Sequence, residues 1–251
     1  MNGSSELHGR VAVVTGAGRN IGRAIALELA AGGAAVVVNT RANMGEAEAV
    51  ANEIEKSGGL ALPITGDVAD ARAVDAMVDA AVKKFSRIDH LVNNAALRGE
   101  KPVADMTYAD WRKVLDVTLD GAFFCVKACL PYLKKSGAGA IVNMGGLSSH
   151  TGSKNRIHVV TAKSGLVGLT RALAHDLAED NVTVNCVAPG LVATVREKGF
   201  VEPQHHAIHH TLSGRRGAPE DIATVVRFLC GPGARYVTGQ VIHASGGAFI
   251  Q

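Results

Sequence analysis

Short apolar runs alternate with longer amphipathic stretches along most of the chain. The β-branched runs are typical of buried strands and stand at 11–15, 34–39, 60–65, 88–93, 140–144 and 182–188. Helical patterns separate them at about 21–31, 43–57, 70–85, 107–135 and 160–179. This alternation predicts an α/β fold, a doubly wound parallel sheet with helices on both faces. Since no linker or repeat interrupts it, we expect 1–251 to be a single domain.

Composition narrows the classes of function. Hydrophobic residues make up 47% of the 251 residues, which is enough for a sizeable core. The 26 basic residues nearly balance the 23 acidic ones and form no continuous track, so nucleic acid is not expected as a partner. No apolar run approaches the roughly 18 residues of a membrane span, and residues 1–10 lack the apolar core of a signal peptide. We therefore expect a cytoplasmic protein with no membrane association.

The first predicted strand ends in a glycine-rich turn, TGAGRNIG, at residues 15–22. Glycines permit positive φ and close backbone approach, and the start of the next helix offers N–H groups to a pyrophosphate. Because the turn opens a helix within a βαβ unit, it predicts a dinucleotide site in a Rossmann-type fold. The candidate binding residues of this turn are Thr15, Gly16, Gly18, Arg19, Asn20, Ile21 and Gly22.

The end of the second strand bears on which dinucleotide is bound. A carboxylate there binds the adenosine ribose hydroxyls, whereas an arginine suits a 2′-phosphate. Thr40 and Arg41 stand where the acid would be, and Arg19 lies in the first turn. Two guanidinium groups near the ribose favour NADP(H) over NAD(H). The alternative is that both are ordinary surface arginines.

Six motifs together give the sequence a resemblance to the short-chain dehydrogenase/reductase family, over essentially its whole length. They are TGAGRNIG, GDV at 66–68, NNA at 93–95, PGLVAT at 189–194, GAPEDIA at 217–223 and TGQVIHASGG at 238–247. The members that it most resembles are reductases of the 3-oxoacyl carrier-protein type. The resemblance implies a nicotinamide cofactor, a small-molecule substrate and a homotetramer or homodimer.

The resemblance also implies roles for further residues. The GDV motif would flank the adenine, the NNA motif would lie against the adenosine ribose, and the PGLVAT loop would hold the nicotinamide carboxamide. Lys163 would bond the hydroxyls of the nicotinamide ribose. The cofactor-binding residues implied in these three motifs are Asp67, Val68, Asn93, Ala95, Pro189, Gly190, Val192 and Thr194.

The family's usual proton donor is missing. In the family a tyrosine four residues before the lysine donates the proton, and the lysine's charge lowers the pKa of that tyrosine. A serine orients the carbonyl and an asparagine anchors a water of the proton relay. The three positions hold Val159, Gly146 and Thr118, and the position where enoyl reductases carry their tyrosine holds Arg156. Of the four usual catalytic residues, Lys163 alone remains.

Other side chains are candidates for moving the proton. Ser148, Ser149 and His150 follow the fifth strand, at the edge of the sheet where a substrate would lie. Histidine is suited to proton transfer near neutral pH, so we take His150, with Ser148, as the candidate catalytic residues beside Lys163. Arg98 and Arg156 are candidates for binding an anionic substrate. For each of these residues the ordinary interpretation is a solvated loop position.

No metal site is expected. Residues 195–216 form the family's variable segment over the substrate, and its histidines, His205, His206, His209 and His210, include i, i+4 pairs that can ligate a metal. Beyond Glu202 no carboxylate or cysteine accompanies them. The four cysteines of the chain lie in apolar segments without metal-ligand spacing, which indicates buried free thiols.

The sequence therefore predicts an NADP(H)-dependent oxidoreductase with a non-standard proton donor. It would move a hydride to or from a small carbonyl, imine or alcohol substrate. The alternative is a catalytically silent NADP(H)-binding protein that acts as a sensor or an assembly partner. Retention of Lys163 and of the nicotinamide loop favours the enzyme.

Overall fold

The computed structural model describes residues 5–195 and 210–250 and contains a seven-stranded sheet in the order β3-β2-β1-β4-β5-β6-β7. Every neighbouring pair of strands is parallel. The strands are β1 Val11–Val14, β2 Ala35–Thr40, β3 Ala61–Thr65, β4 His90–Asn93, β5 Ala140–Met144, β6 Thr183–Pro189 and β7 Val241–Ala244. The parallel, doubly wound sheet predicted from the sequence is confirmed.

Helices cover both faces of this sheet. They are α1 Asn20–Ala31, α2 Met44–Lys56, α3 Ala71–Phe85, α4 Tyr108–Leu115, α5 Gly121–Lys135, α6 Ser148–Thr151, α7 Ile157–Asp176 and α8 Pro219–Cys230. One core cluster joins α1, α2 and α8 to the sheet, and a second joins α3, α5 and α7 to the opposite face. The central strands are apolar throughout because both of their faces are buried.

The structure differs from the predicted elements in several places, among them the short helix α6, which was not predicted. The pattern 107–135 is not one helix, because Asp116–Asp120 is π-helical and separates α4 from α5. Helix α7 begins at Ile157, three residues before the predicted start at 160, so position 159 lies inside it. Helix α8 and strand β7 were not predicted: β7 is a half-buried edge strand of four residues, too short to give a clear alternation.

The strand order places the candidate site. The order reverses at β1, where β2 lies on one side and β4 on the other. In open α/β sheets the crevice at such a reversal, outside the carboxyl ends of the strands, is where ligands bind. The glycine turn after β1 and the loops after β4, β5 and β6 all leave the sheet at this edge.

Two further sequence expectations concern membrane-spanning helices and the cysteines. In the part of the chain that the structure describes, no helix has both the length and the apolar character needed to cross a bilayer. The buried free thiols are confirmed, since Cys125, Cys129, Cys186 and Cys230 are all buried and free.

Candidate active site

The glycine turn after β1 is tight enough to exclude side chains at two of its positions. Gly16 has φ +62°, a left-handed conformation that glycine adopts without strain. A Cβ at Gly22 would lie 2.2 Å from the carbonyl oxygen of Gly16 and 2.5 Å from Asn94 Nδ2. Arg19, at the N-cap of α1, makes no side-chain cap to the first-turn N–H groups. The turn therefore has the form of a pyrophosphate cradle, with helix N–H groups aimed at it.

Asn94 holds this turn against β4, a role that the sequence reasoning missed. Its Nδ2 donates to the carbonyl oxygens of Thr15 and Gly16, both at 2.9 Å. In return the hydroxyl oxygen of Thr15 accepts from the backbone N–H groups of Asn94 and Ala95, both at 3.0 Å. The NNA motif was the available signal, but it was interpreted only as a ribose contact.

Asn20 links the glycine turn to the loop after β6. It has φ +51° at the first position of α1. Its Nδ2 donates to the carbonyl oxygen of Val195 at 3.0 Å, and its Oδ1 accepts from the N–H of Val195 at 2.8 Å. Asn20, predicted to bind the cofactor, thus makes a protein contact that joins the glycine turn to the loop after β6. The next residue, Ile21, is 7% exposed and packs into the core beneath the turn.

The loop after β6 is itself fixed to its surroundings. Pro189 ends β6, and Gly190 donates its N–H to the carbonyl oxygen of Ala244 at 3.0 Å. Val192 is buried and forms a β-bridge with Gly217, and Thr194 is half-buried. This loop belongs to the crevice at the carboxyl edge of the sheet, on the side predicted to hold the nicotinamide end.

The end of β2 contains both signs of charge. Arg19 and Arg41 are exposed, and the Thr40 hydroxyl donates to the carbonyl oxygen of Asn43 at 2.8 Å. Glu46 lies close to the same turn: a Cβ at Gly18 would be 2.7 Å from Thr40 Cγ2 and 2.9 Å from Glu46 Oε2. A carboxylate there opposes a 2′-phosphate and suits ribose hydroxyls. Glu46 was not considered from the sequence, because it lies five residues after Arg41.

The residues predicted to surround the adenosine are mostly engaged in the protein. Asp67 Oδ1 accepts from the N–H of Ala69 at 3.0 Å. Val68 is 5% exposed and packs against Gly121, where an added Cβ would lie 2.8 Å from Val68 Cγ2. Asn93 is 4% exposed and donates its Nδ2 to Asn143 Oδ1 at 2.8 Å, inside the sheet. Its side chain therefore joins β4 to β5, so any ribose contact of this motif falls to the backbone or to Ala95.

Lys163 is buried at the carboxyl end of β5. Its Nζ donates to the carbonyl oxygen of Met144, the last residue of that strand. The pKa of Lys163 is lowered from 10.5 to about 7, mainly by burial and then by the positive charges of Arg98 and Arg156, while Cys186 acts in the opposite direction. A buried ammonium group favours hydrogen-bond acceptors such as ribose hydroxyls. The predicted lysine is thus in place, with a backbone partner that the sequence did not reveal.

Around Lys163 the positions of the family's other catalytic residues hold a valine, a glycine and a threonine. Val159 is 3% exposed and belongs to a small cluster with Val114, Leu115 and Ala162, against which Leu97 and Trp111 pack. A Cβ at Gly146 would meet nothing within 4 Å. Thr118 lies in the π-helical segment, and its buried hydroxyl has no hydrogen-bond partner among the described residues.

His150 and Ser148 lie in the short helix α6, on the β7 side of the site. The His150 ring packs edge-on against His243, with centroids 4.5 Å apart, and lies 5.5 Å from the ring of Phe249. Burial, and then the charge of Arg171, lowers the pKa of His150. These neighbours differ from those that act on Lys163. The structure thus brings His150 and Lys163 to the carboxyl edge of the sheet, but different side chains surround the two.

Most of the histidine-rich segment lies outside the described residues. His205, His206 and His209 lie outside the described residues, and His210 is exposed. Within 5–195 and 210–250, no three histidine, cysteine or acidic side chains are grouped so as to hold a metal ion.

Comparison with known proteins matches nearly the full length of the chain. A family model described as enoyl-(acyl carrier protein) reductase matches residues 16–248. A 3-oxoacyl-[acyl-carrier-protein] reductase of Synechocystis is 40% identical over 243 residues, covering 96% of this chain and 97% of the relative. The Escherichia coli 7alpha-hydroxysteroid dehydrogenase is 35% identical and covers 96% and 94%. A crystal structure of a proposed short-chain alcohol dehydrogenase from Sinorhizobium meliloti superposes with a TM-score of 0.91 at 38% identity, covering 97% and 98%.

Proposed function

The chain belongs to the short-chain dehydrogenase/reductase family, and we propose that it is an NADP(H)-dependent oxidoreductase whose proton donor is not residue 159. Its substrate is a small carbonyl, imine or alcohol compound. The observation that carries the proposal is the buried Lys163. Its Nζ donates to the carbonyl oxygen of Met144 at the end of β5, at the same edge of the sheet as the glycine turn that follows β1. A catalytically idle protein has no need to keep a lysine buried at this point, because burial of an ammonium group is costly.

The residues of the crevice fit a dinucleotide. The cradle of Gly16, Gly18 and Gly22 takes the pyrophosphate, and Arg19, Thr40 and Arg41 surround the adenosine ribose. Lys163 donates to the nicotinamide ribose. Asp67, Val68 and Ala95 line the adenosine side, and Pro189, Gly190, Val192 and Thr194 the nicotinamide side. When bound, NADP(H) supplies or accepts the hydride, and the protein supplies placement and electrostatics.

The proton moves through side chains other than the one at position 159. Burial lowers the pKa of His150, so its ring is predominantly neutral at pH 7 and is able to accept a proton from an alcohol. In this proposal Ser148, two residues before His150 in α6, orients the substrate oxygen. We propose these two residues as the catalytic partners of Lys163. On the strength of the family resemblance we also propose that the protein acts in the cytoplasm, as a homo-oligomer.

The preference for NADP(H) rests on Arg19 and Arg41 and is opposed by Glu46. We expect the wild-type protein to bind NADPH more tightly than NADH, as measured by calorimetry at fixed ionic strength. Replacing Arg19 or Arg41 by Ala should weaken NADPH binding by roughly 10- to 100-fold, the range of a lost charge-assisted bond. The affinity for NADH, which lacks the 2′-phosphate, should change little.

Glu46→Gln is the matched control for this cofactor preference. It removes a negative charge at the same ribose and should strengthen NADPH binding without a comparable gain for NADH. Tighter binding of NADH than of NADPH by the wild-type protein would contradict the assignment of cofactor and leave the assignment of family untouched.

A further inference from the structure

Two histidine rings pack against each other on the β7 side of the candidate site. His150 lies in α6 and His243 in β7, and their ring centroids are 4.5 Å apart at an interplanar angle of 76°. Nε2 of His150 and both ring nitrogens of His243 are buried, and none of the three has a hydrogen-bond partner among the described residues. Buried polar atoms without partners are rare in native proteins, so three at one point call for a physical explanation.

The sheet and the C-terminal segment hold His243 beside α6. His243 pairs with Ala188 in the register of β6 and β7, so its backbone belongs to the sheet. The Phe249 ring packs against both histidines, with its centroid 4.6 Å from that of His243 and 5.5 Å from that of His150. The His243 ring is therefore a fixed neighbour of His150, whose own helix is only four residues long.

The charges that act on the two rings are positive. Burial, and then the charge of Arg171 on α7, lowers the pKa of His150. Burial, and then the charge of His150, lowers the pKa of His243. Both rings are therefore predominantly neutral at pH 7, and a neutral imidazole has one N–H donor and one acceptor nitrogen. His243 thus has an acceptor nitrogen to offer to a donor on His150.

We propose that His243 is a positioning residue, which accepts the Nε2–H group of His150 and so leaves Nδ1 of His150 as the nitrogen that exchanges a proton with the substrate. The inference rests on the proposed function, in which His150 is a catalytic residue. Since the ring nitrogens stand at the rims of two rings whose centroids are 4.5 Å apart, a small rotation brings Nε2 within hydrogen-bond distance of a nitrogen of His243. The partner of one imidazole nitrogen determines which of the two nitrogens carries the proton.

This tautomer suits the proton transfer. When an alcohol is oxidised, its hydroxyl proton, separately from the hydride that NADP⁺ accepts, forms a bond to the lone pair of Nδ1 and leaves His150 as an imidazolium cation. In reduction the same proton returns to the substrate oxygen. In the opposite tautomer Nδ1 would already carry a hydrogen, and the lone pair would lie on Nε2, which is buried away from a substrate.

Neutron diffraction from crystals in heavy water tests the tautomer without any need for activity, because it locates the deuterium on each imidazole nitrogen, which X-ray diffraction at ordinary resolution does not. In the wild-type protein near neutral pD, the deuterium of His150 should lie on Nε2. In His243→Phe, which keeps an aromatic ring but removes both nitrogens, the deuterium should shift at least in part to Nδ1. Deuterium on Nδ1 in the wild-type protein, or the same position in both proteins, would overturn the inference.

Initial rates of NADPH oxidation with ketones, 3-oxoacyl thioesters and cyclic imines test whether His243 acts through His150. His243→Phe should lower kcat by about 10-fold with little change in KM, the loss expected for one hydrogen bond. His243→Gln, which restores an acceptor oxygen, should recover most of that loss. In a His150→Gln background the His243→Phe change should have no further effect. An equal loss in both backgrounds would indicate a packing role alone and would overturn the inference.

His175→Phe is the matched control. It makes the same exchange at an exposed histidine near the end of α7 and should change neither kcat nor the deuterium position on His150. If the wild-type protein turns over none of the substrates, the proposed function fails, and the deuterium position still decides on the tautomer. If the wild-type protein turns over a substrate and His243→Phe is equally active, the positioning role of His243 is overturned and the proposed function stands without it.

Discussion

Replacing Gly146 by Ser and Val159 by Tyr together is expected to raise the reduction of neutral ketones with NADPH by at least about 100-fold, since general acid catalysis contributes typically about 10²- to 10⁴-fold. The introduced phenol would stand one helical turn before Lys163, whose charge lowers the pKa of a neighbouring phenol. The serine enters without strain, because a Cβ at Gly146 meets nothing within 4 Å. Initial rates of NADPH oxidation with a ketone and a 3-oxoacyl thioester measure the gain.

Introducing a tyrosine at position 159 is expected to lower the stability of the protein, and the control variant must lower it by the same amount. Val159 is 3% exposed within a packed apolar cluster, and overpacking such a site typically costs about 1–3 kcal/mol. The variant with Gly146→Ser and Val159→Phe carries the same bulk without the hydroxyl group, so it should lose stability equally and gain no activity. Equal rates in the two double variants would show that the missing phenol is not what limits ketone reduction.

Replacing Lys163 by Met is expected to stabilise the cofactor-free protein, most strongly below pH 7. Burial lowers the pKa of Lys163 from 10.5 to about 7, so folding disfavours its charged form. Below pH 7 the ammonium group is charged in both states and the full penalty applies. As the pH rises from 7 to 10.5 the folded protein holds a neutral amine and the penalty disappears. The difference corresponds to on the order of 4 kcal/mol, less about 1 kcal/mol for the lost bond to Met144.

Thermal unfolding of both proteins between about pH 6 and pH 10 measures this effect. A net gain of about 3 kcal/mol raises the melting temperature by roughly 6–12 °C in a protein of this length, and the gain should shrink steadily as the pH rises. Lys127→Met, which replaces an exposed lysine on α5, should show neither the gain nor its pH dependence. A Lys163 variant that is destabilised at the acidic end of this range would contradict the account of a lysine held at a cost for function.

The sequence predicted the sheet well because its strands are buried on both faces. Runs such as 11–15 and 140–144 are almost entirely apolar, and a parallel, helix-covered sheet is what buries such runs completely. Strand β7 escaped notice because half-burial leaves a strand of four residues without a distinct period. The π-helical break at Asp116–Asp120 was also not predicted, since residues 116–120 contain no glycine or proline to mark an interruption.

The sequence predicted those parts of the candidate site whose role depends on the type of residue alone. The glycine turn and Lys163 fall into that class, because positive φ, close packing and a buried charge each require particular residues. The roles of Asn94 and Asn20 depend on partners 78 and 175 positions away, and no local pattern contains such partners. Glu46 was missed for the same reason, as α2 folds it back onto the glycine turn.

The measurement that tests the central claim most directly is NADPH oxidation by the wild-type protein and by Lys163→Ala. The substrates are ketones, quinones, 3-oxoacyl thioesters and cyclic imines. The account predicts turnover of at least one class, reduced by about 100-fold or more when Lys163 is replaced, with position 159 still valine. Tight binding of NADPH without turnover of any class would contradict it, and would identify the chain as a cofactor-binding protein that has lost its chemistry.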